Sequence, residues 1–295
     1  MTPTTTPSSL PRRPRAAALL VAAMLLAVAA SCSSEPALIR QARKEELIEA
    51  IRGALLESVE AEKSAVLATT DEESRSMARE AQALTGKIDA LRDELRPLVV
   101  ADGRAKEIER LDAFDAAWNE LKGVDDRLLA LAVANTNLKA ARLSAREGAA
   151  ALDRFVEAIV AAEGGSTDAA TIRTLSGAAV AALREQSLLL IHIPTAEPAD
   201  MTRIEERMNE LGDEVGRSLA SARASGVAAE QLTAASDAWE EHRRIAAEVV
   251  RLSRENSNVL SFDVSVHEKR KVTKECLTAL DALLAAIESN PQPKR

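Results

Sequence analysis

Aromatic residues are scarce in this chain of 295 residues, which has no tyrosine, three phenylalanines and two tryptophans. Strands are enriched in aromatic and β-branched residues, and no sustained alternation of apolar and polar residues replaces that signal here. The ten prolines leave three long proline-free tracts that are rich in Ala, Leu, Glu and Arg. Because proline breaks helices and these four residue types favour them, the composition predicts an all-α protein.

Residues and motifs that carry catalysis are also scarce. The chain has three histidines and two cysteines. It lacks the HExxH motif of zinc proteases, the GxSxG nucleophile elbow, a phosphate-binding glycine loop, the paired ExxH motifs of di-iron bundles and the CxxCH haem-attachment motif. We therefore expect a protein that is not an enzyme and that has no cofactor and no metal site.

The charge balance excludes another class of partner. Residues 1–31 hold three arginines and no acid, so the remainder sets 35 of the 38 Lys and Arg against all 46 Asp and Glu. An acidic body with few aromatic residues offers neither the basic patch nor the stacking platform that nucleic-acid-binding proteins use. We expect no nucleic-acid partner.

One long apolar run, Ala16 to Ala30, follows a cluster of three arginines near the amino terminus. Fifteen helical residues reach ~22 Å, which is short of the roughly 30 Å hydrocarbon core of a bilayer. The layout is typical of a secretory signal peptide, and a membrane-spanning anchor is the weaker interpretation.

The stretch Ala29-Ala30-Ser31-Cys32 resembles the bacterial lipobox, whose cysteine becomes the lipidated first residue of the mature protein. We predict a lipoprotein signal peptide over 1–31, lipidation of Cys32 and a tether over 32–37. The protein would be exported and anchored to a membrane by its lipid, facing the periplasm or the cell exterior. Cys276 lies on an apolar stripe, which predicts a small buried core residue.

Apolar residues recur at alternating steps of three and four between residues 35 and 287, the period of helices that pack in a bundle. Helix ends are indicated at Thr70–Glu73, which forms a capping box, and at 97–104, 135–137 and 164–168. Short connections favour antiparallel neighbours, so we predict eight helices in two tandem up-down-up-down four-helix bundles. The predicted bounds are 38–165 and 166–290, followed by a disordered tail over 291–295. We expect the bundles to lie side by side, with the fourth and fifth helices at their seam. A continuous helix through Gly164 and Gly165 would instead stack the bundles end to end.

The passage around the first tryptophan is repeated later in the chain. At an offset of 121, Trp118, Asn135 and Asn137 align with Trp239, Asn256 and Asn258. Rare residues, helix ends and apolar positions agree together, which indicates a tandem duplication. Each tryptophan falls in the middle of a third helix, where we expect it to anchor the core. A ring that lines a cavity would instead offer a ligand a stacking surface.

Four motifs of the first repeat carry a family resemblance: Glu62-Lys63-Ser-Ala-Val-Leu67, Pro97-Leu-Val-Val-Ala-Asp-Gly-Arg104, Phe114-Asp-Ala-Ala-Trp118, and Asn137-Leu-Lys-Ala-Ala-Arg142 running into Gly148-Ala-Ala-Ala-Leu152-Asp153. Through them, residues 40–163 resemble the extracytoplasmic four-helix-bundle sensory module of methyl-accepting chemotaxis receptors, and residues 170–288 echo it. The resemblance implies binding of a small molecule or a partner protein. No second apolar span and no cytoplasmic signalling region follows, so a signal would pass to a membrane signalling partner or act through a homodimer.

Polar residues that interrupt the apolar stripes are the candidate ligand-binding residues, because bundles bind ligands with side chains that point inward. These residues are Glu62, Arg142, Arg146, Gln186, His242 and Lys269. Positions along the hairpins predict one polar layer with Glu62, Arg142 and Arg146, and a second layer with Gln186 and Lys269. The cations suit a small anionic ligand. Alternatively, these side chains pair with one another or reach water, and only fix the register of the helices.

Two functions from different classes therefore remain open. One is a lipid-anchored sensory or ligand-binding protein, which the receptor-like module and the inward polar residues favour. The other is a structural or scaffolding envelope lipoprotein that presents its bundles to partner proteins. A polar cavity would favour the first, whereas solid apolar cores with an exposed apolar face would favour the second.

Overall fold

A computed structural model describes the backbone of residues 15–289 and the side chains of residues 37–289. The side chains of the predicted signal peptide and of Cys32, and the tail over 291–295, lie outside these ranges. The described part of the chain is helical and contains no strand, which confirms the predicted all-α class. Within that part, no helix is both long enough and apolar enough to span a bilayer.

The helices follow one another through short connections. Their bounds are α1 (Arg15–Leu67), α2 (Asp71–Asp102), α3 (Ala105–Ala134), α4 (Thr136–Leu143), π1 (Ser144–Gly148), α5 (Ala149–Gly164), α6 (Ala169–His192), α7 (Pro198–Ala224), α8 (Ala229–Glu255), α9 (Ser257–Asp263), π2 (Val264–Lys269) and α10 (Arg270–Glu288). In π1 and π2 the backbone forms the wider π-helical turn within an otherwise α-helical segment.

Local capping chemistry sets several helix starts. At the start of α2, Thr70 Oγ1 accepts a hydrogen bond from the amide of Glu73, and Glu73 Oε2 accepts one from the amide of Thr69, both at 3.1 Å. Asp168 caps α6 by accepting from the amides of Ala170 and Thr171. The predicted capping box at Thr70 and the cap at Asp168 are therefore both present.

Pro97 lies inside α2, and the helix end predicted over 97–104 is present a few residues after it. The helix continues to Asp102 and ends at Gly103, whose φ of 63° few other residues adopt easily. Leu95 and Val99, on either side of the proline, are fully buried. Their burial on one apolar face offsets the hydrogen bond that proline removes.

The chain divides into two compact units whose bounds differ from the predicted bundles. Unit 1 comprises residues up to Gly53, Lys87–Asp115 and the residues from Leu277 onward. Unit 2 comprises Ala54–Gly86 and Ala116–Cys276. In unit 1, the buried apolar side chains come from α1, α2, α3 and α10, and include Ile48, Ile51, Leu95, Phe114, Leu280 and Leu283. Each unit thus combines segments from both sequence repeats.

In unit 2 the fourth helix of each repeat packs against helices of the other repeat. Residues of α5 such as Phe155 and Ile159 share a core with residues of α6, α7 and α8, for example Leu175 and Trp239. Conversely, Val264 of π2 packs against a cluster from α1, α2 and α3. The predicted bounds 38–165 and 166–290 are therefore wrong as packing units. So is the predicted seam, because α5 and α6 lie in one and the same set of helices.

The two crossing segments cap each other where they meet. Asn135 and Asn256 take the left-handed conformation, with φ of 50° and 52°, and turn the chain between α3 and α4 and between α8 and α9. After these turns, the Thr136 amide donates to Ser257 Oγ at 2.9 Å, and the Ser257 amide donates to Thr136 Oγ1 at 3.0 Å. Each hydroxyl thus satisfies a first-turn amide that has no partner within its own helix.

One position further along, the same exchange is repeated. The Asn137 amide donates to Asn258 Oδ1 at 3.2 Å, and the Asn258 amide donates to Asn137 Oδ1 at 3.1 Å. Each bond joins residues 121 positions apart, which is the offset between the two similar passages of the sequence. The repeated Asn-Thr-Asn and Asn-Ser-Asn passages are therefore the two halves of one reciprocal contact.

This exchange makes a prediction about a nicked chain. If a protease site is placed in the connection over 165–168 and cut, the two fragments should stay together as a 1:1 complex with nearly unchanged helicity. The reason is that each fragment supplies the fourth helix of the other's set. Size-exclusion chromatography with light scattering and circular dichroism measure this. A matched cut over 194–197, between α6 and α7, controls for the insertion, and separation of the fragments only after the 165–168 cut would contradict the exchange.

Candidate functional site

Three buried charged side chains meet in unit 2. Lys269 Nζ of π2 lies 2.9 Å from Glu62 Oε2 of α1 and donates a hydrogen bond to Asp125 Oδ1 of α3. The three residues are only 3%, 2% and 6% exposed. Ser265 Oγ donates to the other oxygen of Glu62 at 3.2 Å. One ammonium group is therefore shared by two carboxylates, and all three groups are almost fully removed from solvent.

Burial determines the electrostatics of this charge cluster. It raises the pKa of Asp125 to about 6; Lys269 opposes the shift, while Glu62 and Asp126 add to it. Since removal of one partner from a buried ion pair leaves an uncompensated charge, the cluster holds the three helices in one register. Cys276 lies fully buried, and burial raises the pKa of its thiol to about 12, so the thiol is unreactive.

A pocket of about 490 Å³ opens beside the charge cluster. One wall comes from α1 and the other from α9, π2 and α10. Glu62 and Lys269 line it together with apolar and basic side chains, which are Val59, Val66, Leu67, Phe262, Val266, Lys63 and Arg270. Phe262 and Leu67 are 55% and 69% exposed, so the pocket presents apolar surface to solvent.

The pocket also has polar groups that are available to a ligand. Arg270 makes no ion pair with any residue of the described chain, whereas Lys63 pairs with Glu60 at 3.0 Å. The Oγ1 atom of Thr273 is buried and has no hydrogen-bond partner among the described residues. An apolar wall with a few convergent polar groups is the usual composition of a small-molecule site. The adjoining π2 turn fits this interpretation, since π-helical turns are frequent at functional sites.

The second repeat has a different arrangement at the equivalent place. Gln186, which aligns with Glu62 at the offset of 124 that relates the first helices of the two repeats, donates from Nε2 to Ser144 Oγ at 3.1 Å. His242, which aligns with Leu121, is fully buried, donates from Nδ1 to the carbonyl of Gly148 at 3.2 Å and stacks on Trp239. Burial lowers the pKa of His242, so the ring is neutral at pH 7. This position holds a packed aromatic group in place of charges.

The predicted polar layers are partly wrong. Lys269 lies beside Glu62 instead of Gln186, because the segment from Ser257 onward crosses to α1 and α3. Arg142 is half-buried and donates to the carbonyl of Thr69 at 2.7 Å, and Arg146 is exposed. The structure thus brings Glu62 and Lys269 together and leaves Arg142 and Arg146 outside the charge cluster. The alternative that candidate residues pair with one another describes Glu62 and Lys269 in this structure.

The two tryptophans are buried, as expected of core anchors. Trp118 is 1% exposed, and Lys122 Nζ lies 5.8 Å from the centre of its ring. Trp239 is 7% exposed and lies between Phe155 and His242, with ring centres 5.3 Å from each. Neither tryptophan lines the pocket beside Glu62.

Asp125 belongs to the charge cluster but was not among the candidates from the sequence. The apolar stripe of α3 has residues at 118, 121 and 128, and the position that completes the three-four spacing is 125. A charged residue at this position was the available signal. In the second repeat, Asp125 aligns with the small apolar residue Ala246.

A second polar group resembles a catalytic triad in its contacts alone. His192 lies 2.8 Å from Ser253 Oγ through Nδ1 and 2.8 Å from Glu205 Oε1 through Nε2. Ser253 is fully buried, and its hydroxyl donates to the carbonyl of His192 at 3.1 Å. No substrate reaches that hydroxyl, so this group fastens α6 to α7 and α8.

The raised pKa of Asp125 predicts a pH-dependent effect on stability. Between about pH 4, the ordinary pKa of Asp, and pH 6, the folded chain keeps a proton that the unfolded chain has released. Asp125 therefore contributes less stability as the pH rises through this window. The free energy of unfolding of Asp125→Asn, taken relative to that of the wild type, should therefore rise by about 1 kcal/mol from pH 5 to pH 7.

Urea unfolding of both chains at the two pH values measures this difference. Asp126→Asn is the matched control, because Asp126 is next to Asp125 in the sequence and its carboxylate is exposed. A difference that does not change with pH would show that Asp125 titrates normally in the folded chain.

Comparison with known proteins finds no relative of this chain. No protein-family model, no curated protein and no solved structure matches the chain. The resemblance of the first repeat to a chemoreceptor sensory module therefore stays a prediction from the sequence motifs, and the geometry of the pocket and of the charge cluster is the basis for a functional proposal.

Proposed function

We propose that this chain is an exported, lipid-anchored ligand-binding protein of the sensory type. In this proposal, the pocket beside Glu62 and Lys269 takes a small anionic molecule with an apolar body. The observation that carries it is the pocket of about 490 Å³, which combines apolar walls with a guanidinium that has no ion pair in the described chain. The lipobox-like sequence at Cys32 supports export and anchoring, and the chemoreceptor-like motifs support a sensory role.

The residues that line the pocket have different roles in binding a ligand. Lys269 is already neutralised by Glu62 and Asp125, so it supports the pocket floor and does not attract an anion on its own. Arg270, which is exposed at the rim, has five N–H donors free to hold a carboxylate in bidentate geometry. Val66, Phe262 and Val266 then cover the apolar body of the ligand.

Binding can be tested with simple probes of opposite charge. Hexanoate and benzoate should raise the thermal midpoint of the wild-type chain, whereas hexylamine should not. Arg270→Gln should weaken binding of the anionic probes about tenfold or more, because it removes a charge-assisted contact. Differential scanning fluorimetry and isothermal titration calorimetry measure these effects.

Arg146→Gln is the matched control for this test. Arg146 is also an exposed arginine, lies on the π segment of the first repeat and has no ion pair among the described residues. It should leave probe binding unchanged. Equal losses in both variants, or a response to hexylamine alone, would contradict the proposed site.

A scaffolding function is the second candidate, and an exposed apolar stripe on α6 favours it. Val180, Leu183, Leu190 and Ile191 are 46% to 55% exposed and follow one another at helical spacing. Apolar stripes of this kind mark protein contacts when they are contiguous.

This second candidate makes a distinct prediction. A photo-crosslinking residue at Leu190 should form protein adducts in cells, whereas one at Glu214, an exposed polar position on α7, should not. Gel mobility and mass spectrometry of the adducts measure the outcome. Absence of adducts at both positions would remove the support for a scaffold.

A further inference from the structure

One end of unit 1 combines exposed apolar side chains with basic residues. Leu38 and Ile39 of α1 are 39% and 66% exposed, and Val100 of α2 is 51% exposed. The Arg40 guanidinium lies 3.0 Å from Asp102, so the described start of α1 lies against the end of α2. We call this end of unit 1, residues 37–44 and 100–107, the basic tip.

The basic tip has the opposite charge to the chain as a whole. It contains five basic residues (Arg40, Arg43, Lys44, Arg104 and Lys106) and two acidic ones (Asp102 and Glu107), whereas the whole chain has a net charge of -8. Both acids bind the fully buried Lys44, at 2.7 Å and 2.6 Å. Asp102 and Glu107 also bind Arg40 and Arg104, and Arg43 pairs with Glu46 and Glu94 just outside the basic tip. Lys106 is the exposed cation of the tip that has no ion pair within the described range.

The basic tip also lies close to the predicted lipid. Cys32 precedes Leu38 by six residues on the same helix, and at ~1.5 Å per residue this is about 9 Å along the helix axis. A lipid on Cys32 would hold the basic tip within reach of the headgroups. A tethered surface also has a high effective concentration, so a small patch is enough for docking.

We propose that the basic tip docks on the surface of a bilayer that contains anionic lipids. Leu38, Ile39 and Val100 enter the headgroup region, and Arg40, Arg104 and Lys106 meet the lipid phosphates. The patch has three exposed apolar side chains, too few for a protein interface of about 800 Å² per partner, which is why a lipid surface is the occupant. This inference rests on the lipid anchor of the proposed function.

Depth-dependent fluorescence quenching tests the proposal in the full chain, expressed in a bacterium that lipidates it and reconstituted into vesicles. A cysteine at position 39 or 100 carries a fluorophore, and brominated lipids act as the quencher. The control label replaces Lys87, which is exposed on the same unit and lies thirteen residues, or about 20 Å, from Val100 along α2. Cys276 is buried and does not react with the label.

We expect quenching at positions 39 and 100 and none at position 87 in vesicles of phosphatidylcholine with phosphatidylglycerol. Lys106→Ala should weaken docking about fivefold, since each basic residue near an anionic surface contributes about that factor. Removal of phosphatidylglycerol should reduce the quenching further. Equal quenching at 39, 100 and 87, or no quenching while the protein stays on the vesicles, would overturn the docking of the basic tip.

A separate readout distinguishes failure of the anchor from failure of the docking. The mass of the amino-terminal peptide reports whether Cys32 is lipidated, and Cys32→Ser should release the protein from membranes. An unmodified Cys32 would overturn the anchor of the proposed function and the docking with it. A lipidated protein without quenching at 39 and 100 would overturn the docking alone.

Discussion

The exchange of helix caps between the two repeats is the contact on which the rest of unit 2 depends. Thr136 and Ser257 satisfy each other's first-turn amides, as do Asn137 and Asn258 one position later. A buried amide without a partner costs on the order of 1–3 kcal/mol, so these four bonds strongly favour one meeting geometry. That geometry directs α4 and α5 to α6 and α8, and directs α9 and π2 to α1 and α3. Lys269 reaches Glu62 only because of this crossing.

The two sequence repeats have different residues at equivalent buried positions. Gly148 of the first repeat is replaced by Lys269 in the second, and Leu121 of the first is replaced by His242. The outcome is a charge cluster with an adjoining pocket at one place, and a stacked histidine and tryptophan at the other. A buried lysine is tolerated because two carboxylates surround it, and a buried histidine because it is neutral and hydrogen-bonded. The two places therefore need different chemistry to remain stable.

How far the sequence could predict this molecule depends on whether a feature is local. The all-α class, the capping box at Thr70 and the cap at Asp168 were predicted because each depends on a few adjacent residues. The exchange of helices was not predicted, because an apolar stripe identifies the buried face of a helix. When two repeats have equivalent stripes, the stripe does not identify which helix covers that face. Glu62 and Lys269 interrupt apolar stripes and meet in the structure, whereas Arg146 is exposed because long side chains at a stripe edge reach water.

Exchange of the fourth helix also constrains how this chain can change over time. Each set of helices draws members from both copies, so deletion of either copy would leave three helices with an uncovered apolar face and a helix with nothing to pack on. The two copies are free to diverge in their interiors, as Lys269 and Gly148 show, but a substitution at Thr136 or Asn137 also alters the environment of a residue 121 positions away. The duplicated halves therefore have to evolve as partners in one contact and cannot drift as independent domains.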